Sequence, residues 1–127
     1  EVILGLERIG KVNPGLICAS EPNTEFLNDM VETYKDLNFL NDNGSLNLTT
    51  IVEYTSDYLR SKGLENRNEV QVVSGVTIYP ADYFCPIDMT TGKLVITSNT
   101  RSIHRFAGSW ESKGNMFRGK IYKLKNR

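Results

Sequence analysis

The fold class is decided by the stretch EVQVVSGVTIYP, residues 69–80. Glu69–Val73 and Val76–Tyr79 are rich in β-branched residues, and Ser74-Gly75 separates them, so we expect two strands joined by a tight turn. Pro80 ends the second strand, because proline has no N–H to donate to a neighbouring strand. This stretch therefore predicts a β-sheet in the second half of the chain.

Further short apolar runs extend this sheet in both directions along the chain. Val2–Leu6 is flanked by polar residues and predicts a buried strand, and Leu16–Ala19 predicts a second one. Gly10 to Gly15 has the composition of a loop. After the turn at residues 90–93, we expect strands at Leu94–Thr97 and Ile103–Ala107.

Helical spacing of apolar residues predicts two helices between the strands. The first opens at Pro22-Asn23, and its apolar stripe consists of Phe26, Leu27, Met30, Val31 and Tyr34. The second runs from about residue 50 to 62, where Thr50 and Glu53 fit a capping box and Gly63 is a C-terminal stop. Its inward face consists of Ile51, Thr55, Tyr58 and Leu59. A weak terminal helix is expected at Phe117–Leu124.

Strands and helices alternate, so the sequence predicts an α/β fold. The length of 127 residues fits one domain with one core, which we assign to residues 1–127. The predicted sheet is thin for a self-contained α/β domain. The sequence also begins at Glu1, directly before the apolar Val2–Leu6. We therefore expect a chain cut from a longer protein, with other strands supplied by the missing part.

Charge is distributed unevenly along the chain. Residues 1–100 carry seven Lys and Arg against fourteen Asp and Glu, a net charge of −7, whereas residues 101–127 carry eight against one, a net charge of +7. A basic end suits an anionic partner such as a nucleotide diphosphate, a membrane surface or nucleic acid. The alternative, favoured by charge alone, is a solvated face that balances the acidic part.

Two cysteines, Cys18 and Cys85, are too few for a disulfide scaffold and lack the spacing of a metal site. Both have apolar or aromatic neighbours, which predicts buried free thiols in a reducing compartment. No apolar run approaches the roughly 20 residues that a membrane-spanning helix needs.

The richest group of candidate functional residues is SIHRFAGSW, residues 102–110. His104 is the sole histidine of the sequence and a possible metal ligand. Arg101, directly before this group, and Arg105 bring positive charge, Ser109 brings a hydroxyl, and Trp110 an indole N–H and a flat apolar face. Together these could hold a divalent cation, its phosphates and a ring. The alternative is a strand end whose tryptophan fills the core.

Other functional classes lack their motifs. The sequence has no Gly-x-Ser-x-Gly elbow for a Ser/His/Asp hydrolase and neither of the common Gly-rich phosphate-binding patterns. Zinc binding by one histidine and two distant cysteines is unfavourable. No nucleic-acid-binding motif accompanies the basic end, so we expect no nucleic-acid partner.

An ordered series of short motifs, VTIYPADYFCP (76–86), ITSNT (96–100), SIH (102–104) and GSW (108–110), resembles the Asp-x-Asp glycosyltransferases of bacterial capsule and surface-polysaccharide loci. The yeast initiating mannosyltransferase belongs to the same broad family. The segment from Glu7 to Ala19, with Asn13 and Gly15, resembles the part that follows the Asp-x-Asp motif in such enzymes. The resemblance spans most of the chain and is strongest at 76–110.

The resemblance implies a GT-A fold with a mixed sheet and flanking helices. It also implies a nucleotide-sugar donor, Mn²⁺ or Mg²⁺ on the diphosphate, and retention of the anomeric configuration. His104 would be a late metal ligand, with Ser109 competing or helping, and Trp110 would donate its N–H to the β-phosphate. Arg105 would contact the donor phosphates, and Asn13 a sugar hydroxyl. The acceptor would be a saccharide or lipid-linked saccharide, which implies an enzyme in the cytoplasm or peripheral at the inner membrane face.

This sequence departs from the family pattern because it contains no Asp-x-Asp. We therefore expect that motif before residue 1 of a longer parent enzyme, and expect the present chain alone to be inactive. Two alternatives stay open. One is a non-catalytic module that binds carbohydrate or protein on a degenerate half of the fold. The other is a basic-tailed adaptor on a membrane or nucleic acid.

Overall fold

The computed structural model of the protein describes residues 1–88 and 90–106. These residues form a mixed α/β arrangement, as the sequence predicts. The strands are β1 (Val2–Arg8), β2 (Lys11–Val12), β3 (Cys18–Ser20), β4 (Gln71–Val73) and β5 (Val76–Tyr79). The helices are α1 (Glu25–Lys35), α2 (Ile51–Ser61) and the short α3 (Ala81–Phe84). The predicted terminal helix at Phe117–Leu124 lies outside the described residues.

The five strands form one mixed sheet around β1. β1 runs parallel to β5, with Leu4 opposite Ile78, and antiparallel to β3, with Leu4 opposite Cys18. β2 pairs antiparallel with the end of β1. Because β1 pairs on both edges, its first five residues are apolar, and Val2, Leu4, Gly5 and Leu6 are buried, whereas the strand ends in the charged Glu7 and the exposed Arg8.

The β4–β5 hairpin confirms the prediction from residues 69–80. Val73 pairs with Val76, so the connection is the two-residue turn Ser74-Gly75. The φ angles of Ser74 and Gly75 are 46° and 75°. Positive φ at both central residues belongs to the type I′ turn, whose twist matches that of paired strands. Pro80 follows β5 and forms the N-cap of α3.

The two longer helices pack their predicted faces against the sheet only in part. Phe26 and Met30 of α1 are buried, as are Thr55 and Leu59 of α2. The outer members of both predicted stripes are exposed, namely Val31, Tyr34 and Ile51. An edge-to-face contact between Phe26 and Tyr58, with ring centroids 5.8 Å apart, joins the helices.

Thr50 is the N-cap of α2, as predicted, and the helix ends before Gly63, whose φ is +109°. The prediction of a capping box is wrong, because the Thr50 side chain makes no capping hydrogen bond. The partner residue Glu53 instead forms an ion pair with Lys11 of β2. A tertiary contact has therefore replaced the local one.

Several predicted strands differ from the structure. β3 begins at Cys18, is exposed throughout, and leaves the Cys18 thiol accessible, so the predictions of a buried strand and a buried Cys18 are wrong. An edge strand needs only backbone pairing with β1, and solvent can cover its side chains. Leu94–Thr97 contributes a single bridge, from Leu94 to Ile87. Residues 103–106 form no strand, and Ala107 lies outside the described residues.

None of the helices in the described ranges is long and apolar enough to cross a bilayer.

Candidate functional site

The segment that precedes His104 is held against α3 by the Asp82 carboxylate and by the backbone carbonyl groups of Asp82 and Tyr83. The Asp82 carboxylate accepts hydrogen bonds from the Thr97 hydroxyl at 3.0 Å and the Asn99 amide at 3.2 Å. The Tyr83 carbonyl accepts from the backbone N–H groups of Arg101 at 2.8 Å and Ser102 at 3.2 Å. Since these donors bond to α3, residues 97–102 follow a fixed irregular path instead of pairing as a strand.

His104 lies at the end of that path and is half-buried. Its ring meets the Phe106 ring edge to face, with centroids 4.3 Å apart. Its Nδ1 is buried and has no hydrogen-bond partner among the described residues. Phe106 has a φ of 49°, in the left-handed region that side chains rarely adopt. A buried nitrogen without a partner is costly unless a ligand or a proton donor satisfies it.

Of the other candidate residues near His104, the structure describes the two arginines but not Ser109 or Trp110. Arg105 is exposed beside His104, so its guanidinium is accessible to an anion. Ser109 and Trp110 lie outside the described residues. Arg101 places its guanidinium 5.9 Å from the centre of the Tyr83 ring and donates to the Ser98 carbonyl. Arg101 and Arg105 together put two positive charges within four positions of the sequence.

Asn13 lies in the turn after β2 and is half-buried. Its amide Nδ2 donates to Glu7 Oε2 at 2.7 Å, and its Oδ1 accepts from the Gly15 N–H at 2.7 Å. The side chain is therefore held between a strand end and a turn, as the prediction of a loop residue at a strand end requires. In the described ranges, no hydrogen bond, ion pair or ring contact joins Asn13 to His104 or Arg105.

A cavity of about 330 Å³ opens at the carboxyl ends of the parallel strands β1 and β5. Its polar lining residues are Glu7, Arg8, Asn68, Asp88 and Thr90, and its apolar lining residues are Ile9, Ala81, Cys85 and Ile87. In sheets with parallel strands, ligands bind preferentially at this edge. The hydrogen bond from Asn13 to Glu7 places the turn after β2 beside the cavity.

The local electrostatics of the cavity have identifiable causes. The backbone N–H groups of Thr91 and Thr90, which donate to the Asp88 carboxylate, lower the pKa of that group. Burial, with a smaller contribution from the Glu7 charge, raises the pKa of the Cys85 thiol. Cys85 is therefore a buried free thiol, as predicted, and is neutral at physiological pH.

Sequence reasoning missed Glu7, Asn68 and Asp88 as residues of a pocket. Glu7 offered a signal, because it is the first charged residue after an apolar strand, where strand ends carry functional groups. Asp88 and Asn68 offered none, since their position depends on how residues 64–70 and 85–94 fold back against β1. Within residues 1–88 and 90–106, no three His, Cys, Asp or Glu side chains are grouped so as to hold a metal ion.

Comparison of the chain with protein-family profiles, with curated proteins and with solved structures found no match, so these comparisons identify neither a family nor a fold.

Proposed function

We propose that this chain is the C-terminal part of a metal-dependent glycosyltransferase with a GT-A-like fold. The parent enzyme would move a sugar from a nucleotide-sugar donor to a saccharide or lipid-linked saccharide acceptor in surface-polysaccharide synthesis, in the cytoplasm or at the inner membrane face. The proposal rests on the motif series at 76–110. The structural observation that carries it is the buried His104 Nδ1, which lacks a partner in the described part of the chain.

The surroundings of His104 favour a ligand over a structural role. A structural histidine normally has both ring nitrogens satisfied by hydrogen bonds or water. Here the path to His104 is fixed by Asp82 and Tyr83, and Phe106, two residues after His104, has strained backbone with a positive φ. Strain of this kind concentrates at functional sites, where the surrounding structure can maintain it.

A divalent cation fits His104 as one member of a ligand set. A neutral imidazole nitrogen is a common metal ligand, and Mg²⁺ prefers oxygen more strictly than transition metals do, so one histidine favours Mn²⁺. The remaining ligands would be carboxylates that the described residues do not group around His104. In the proposed enzyme these come from the Asp-x-Asp motif, which this sequence does not contain. For that reason we propose that the chain alone is inactive.

The cation would neutralise charge on the departing diphosphate. Arg105, exposed next to His104, would add a positive charge on the same side. Asn13 is held by Glu7 and Gly15 and would present its amide to a donor-sugar hydroxyl without first losing rotamer freedom. Ser109 and Trp110 keep the roles that the family resemblance implies, a helper near the cation and an N–H donor to the β-phosphate.

The test is an assay of the intact protein that carries this chain. UDP-glucose, UDP-galactose, UDP-N-acetylglucosamine and GDP-mannose would each be incubated with Mn²⁺ or with EDTA, and release of the nucleoside diphosphate measured. We expect turnover with Mn²⁺, and a loss of about 100-fold or more for His104→Ala, the scale of removing one preorganised electrostatic contact. Arg60→Ala, a basic residue of α2, is the control and should retain activity.

Full activity of His104→Ala would remove His104 from the metal site. Absence of turnover with all four donors, together with saccharide binding, would instead favour a non-catalytic carbohydrate-binding module. Paramagnetic resonance of Mn²⁺ with UDP gives a second readout. Binding that weakens in His104→Ala but not in Arg60→Ala would support the ligand role independently of catalysis.

A further inference from the structure

The cavity at the carboxyl end of β1 has a wall composition that suits one class of ligand. Glu7 and Asp88 supply carboxylate oxygens, Asn68 an amide and Thr90 a hydroxyl, while Ala81 and Cys85 supply an apolar surface. Its volume of about 330 Å³ lies near the lower end of small-ligand pockets, which range from roughly 300 to 1,000 Å³. The space therefore accepts one ring-sized group, not an extended chain.

The charge of the cavity lining indicates which reactant of a glycosyl transfer could bind there, the charged nucleotide diphosphate or a neutral sugar. Two carboxylates face one guanidinium, that of Arg8, so the lining is net negative. A nucleotide diphosphate would be repelled here, whereas neutral hydroxyl groups donate readily to carboxylates. The basic side chains are Arg105, within the other candidate segment at residues 102–110, and Arg101, directly before it. The cavity thus suits a neutral polyhydroxylated ring and not the charged half of the donor.

The polar groups of the cavity are held in place before any ligand arrives. Asp88 Oδ1 accepts from the backbone N–H groups of Thr90 at 2.8 Å and Thr91 at 2.9 Å, and the Thr91 side chain also bonds to this carboxylate. Each carboxylate oxygen can accept more than one hydrogen bond, so the fixed group still accepts from a ligand hydroxyl. Glu7 Oε2 accepts from Asn13, which leaves its other oxygen.

The Asn68 side chain is also fixed before any ligand binds, by a hydrogen bond from the start of α3. Its Oδ1 accepts from the Ala81 N–H at 3.0 Å, so its amide N–H₂ group remains a donor. The three fixed side chains Glu7, Asp88 and Asn68 therefore offer both acceptors and a donor. Prepositioned groups of this kind lower the entropic cost of binding.

We propose that the cavity bounded by Glu7, Asp88, Asn68 and Ala81 binds one neutral sugar ring of the acceptor saccharide. Hydroxyl groups of the ring donate to the carboxylates of Glu7 and Asp88, and its apolar face lies against Ala81 and Cys85. The assignment to the acceptor rests on the proposed glycosyltransferase function. The inference that a neutral sugar ring binds here does not depend on that function, because it follows from the cavity alone.

The experiment measures binding of neutral methyl glycosides to the intact protein by ligand-observed saturation-transfer NMR. The probes are the methyl glycosides of glucose, galactose, mannose and N-acetylglucosamine at millimolar concentration. We expect at least one to bind. Asp88→Asn should weaken that binding about tenfold, because one charge-assisted hydrogen bond is lost while the backbone contacts of the side chain persist. Ala81→Leu should abolish binding by filling the space.

Val72→Leu is the matched control, since it lengthens an aliphatic side chain that is 72% exposed on β4, away from the cavity. Melting temperatures identify a variant that fails to fold, and Asp88→Asn, which is nearly isosteric, keeps the test decisive if Ala81→Leu does fail. Glycoside binding unchanged in Asp88→Asn and in folded Ala81→Leu, or no binding of any probe, would overturn the proposal.

The two proposals fail separately. If glycoside binding depends on Asp88 but Mn²⁺ and UDP do not bind, the cavity assignment stands and the glycosyltransferase function falls. If Mn²⁺ and UDP bind through His104 but the cavity variants leave glycoside affinity unchanged, the enzyme proposal stands and the acceptor site lies elsewhere.

Discussion

The two thiols of the chain have opposite environments, although their sequence surroundings are similar. Cys18 is exposed on the edge strand β3, whereas Cys85 is 3% exposed at the floor of the cavity. Burial and the Glu7 charge raise the pKa of the Cys85 thiol, so little of the reactive thiolate forms there. Environment at the residue scale therefore separates two chemically identical groups.

We predict that iodoacetamide modifies Cys18 much faster than Cys85 at mildly alkaline pH. Peptide mass spectrometry after timed quenching measures the two rates. In the Cys18→Ser variant, Cys85 should be modified only when the protein unfolds, and adding denaturant should give full labelling of Cys85. Equal labelling of both thiols in the folded protein would contradict the observed burial.

Tyr58 carries a pH dependence that can be tested at a single residue. Its hydroxyl donates to Asp29 Oδ2 at 2.8 Å, and burial together with Asp29 raises the pKa of Tyr58 to about 12. An unfolded tyrosine titrates at roughly 10. Because the folded-state pKa is the higher one, the stabilisation is complete below pH roughly 10 and is lost as the pH rises towards the folded-state value.

We expect denaturant midpoints of the protein to fall across this alkaline window. In Tyr58→Phe that part of the decline should be absent, while at neutral pH the variant loses about 0.5–1.5 kcal/mol from the missing hydrogen bond. The ring contact with Phe26 remains in the variant and keeps the packing comparable. Identical alkaline profiles for both proteins would show that Tyr58 does not contribute.

At the scale of elements, β2 depends on α2. The Val12 N–H donates to Ser56 Oγ at 2.9 Å, and Ser56 Oγ donates to the Val52 carbonyl at 2.6 Å. Both Val12 and Ser56 are fully buried. Gly10 to Gly15 has the composition of a loop, and its two-residue strand could not be predicted, because a buried helix serine satisfies its backbone.

Ser56→Ala should destabilise the protein by about 1–3 kcal/mol, since it leaves the buried Val12 N–H without an acceptor. Ser61→Ala in the same helix is the matched control, because its exposed hydroxyl only bonds the Tyr58 carbonyl. Ser61→Ala should lower the free energy of unfolding by only a few tenths of the loss expected for Ser56→Ala. Urea denaturation of the three proteins measures the difference, and equal losses for both variants would refute the buried link.

The sequence correctly predicted the elements that depend mainly on interactions between residues close together in the chain. The Ser74-Gly75 turn and the two helices occur where turn chemistry and helical spacing place them. Of the strands expected after residue 93, Leu94–Thr97 is reduced to one bridge from Leu94 to Ile87, and residues 103–106 form none. Between them, Asp82 and the Tyr83 carbonyl hold Thr97, Arg101 and Ser102 against α3. The β-branched composition of Leu94–Thr97 is typical of a strand, but the Thr97 side chain bonds to Asp82 of α3, a contact that the local pattern does not encode.

For the whole molecule, the sequence indicated the class and part of the candidate site. The alternation of elements predicted the α/β arrangement. The motif series included His104, the charge next to it singled out Arg105, and the resemblance of the segment from Glu7 to Ala19 singled out Asn13. The cavity at the carboxyl end of β1 could not be predicted, since it arises where three separate segments meet at one sheet edge. Pairing and cavity formation depend on tertiary contacts that periodicity does not encode.

The architecture as a whole depends on close approach at Gly5, in the middle of the central strand. A Cβ atom there would lie 2.9 Å from Phe84 Cδ2 of α3 and 3.3 Å from Ile17 Cγ2. β1 pairs with three other strands, so displacement at Gly5 is transmitted to the whole sheet and to the cavity beneath α3.

We predict that Gly5→Ala lowers the free energy of unfolding by about 1–3 kcal/mol, the range of overpacked cores. Phe84→Leu in the same chain should recover part of the loss, and a double-mutant cycle by thermal denaturation measures the coupling. Additive effects of the two substitutions would mean that Phe84 does not limit the space at Gly5.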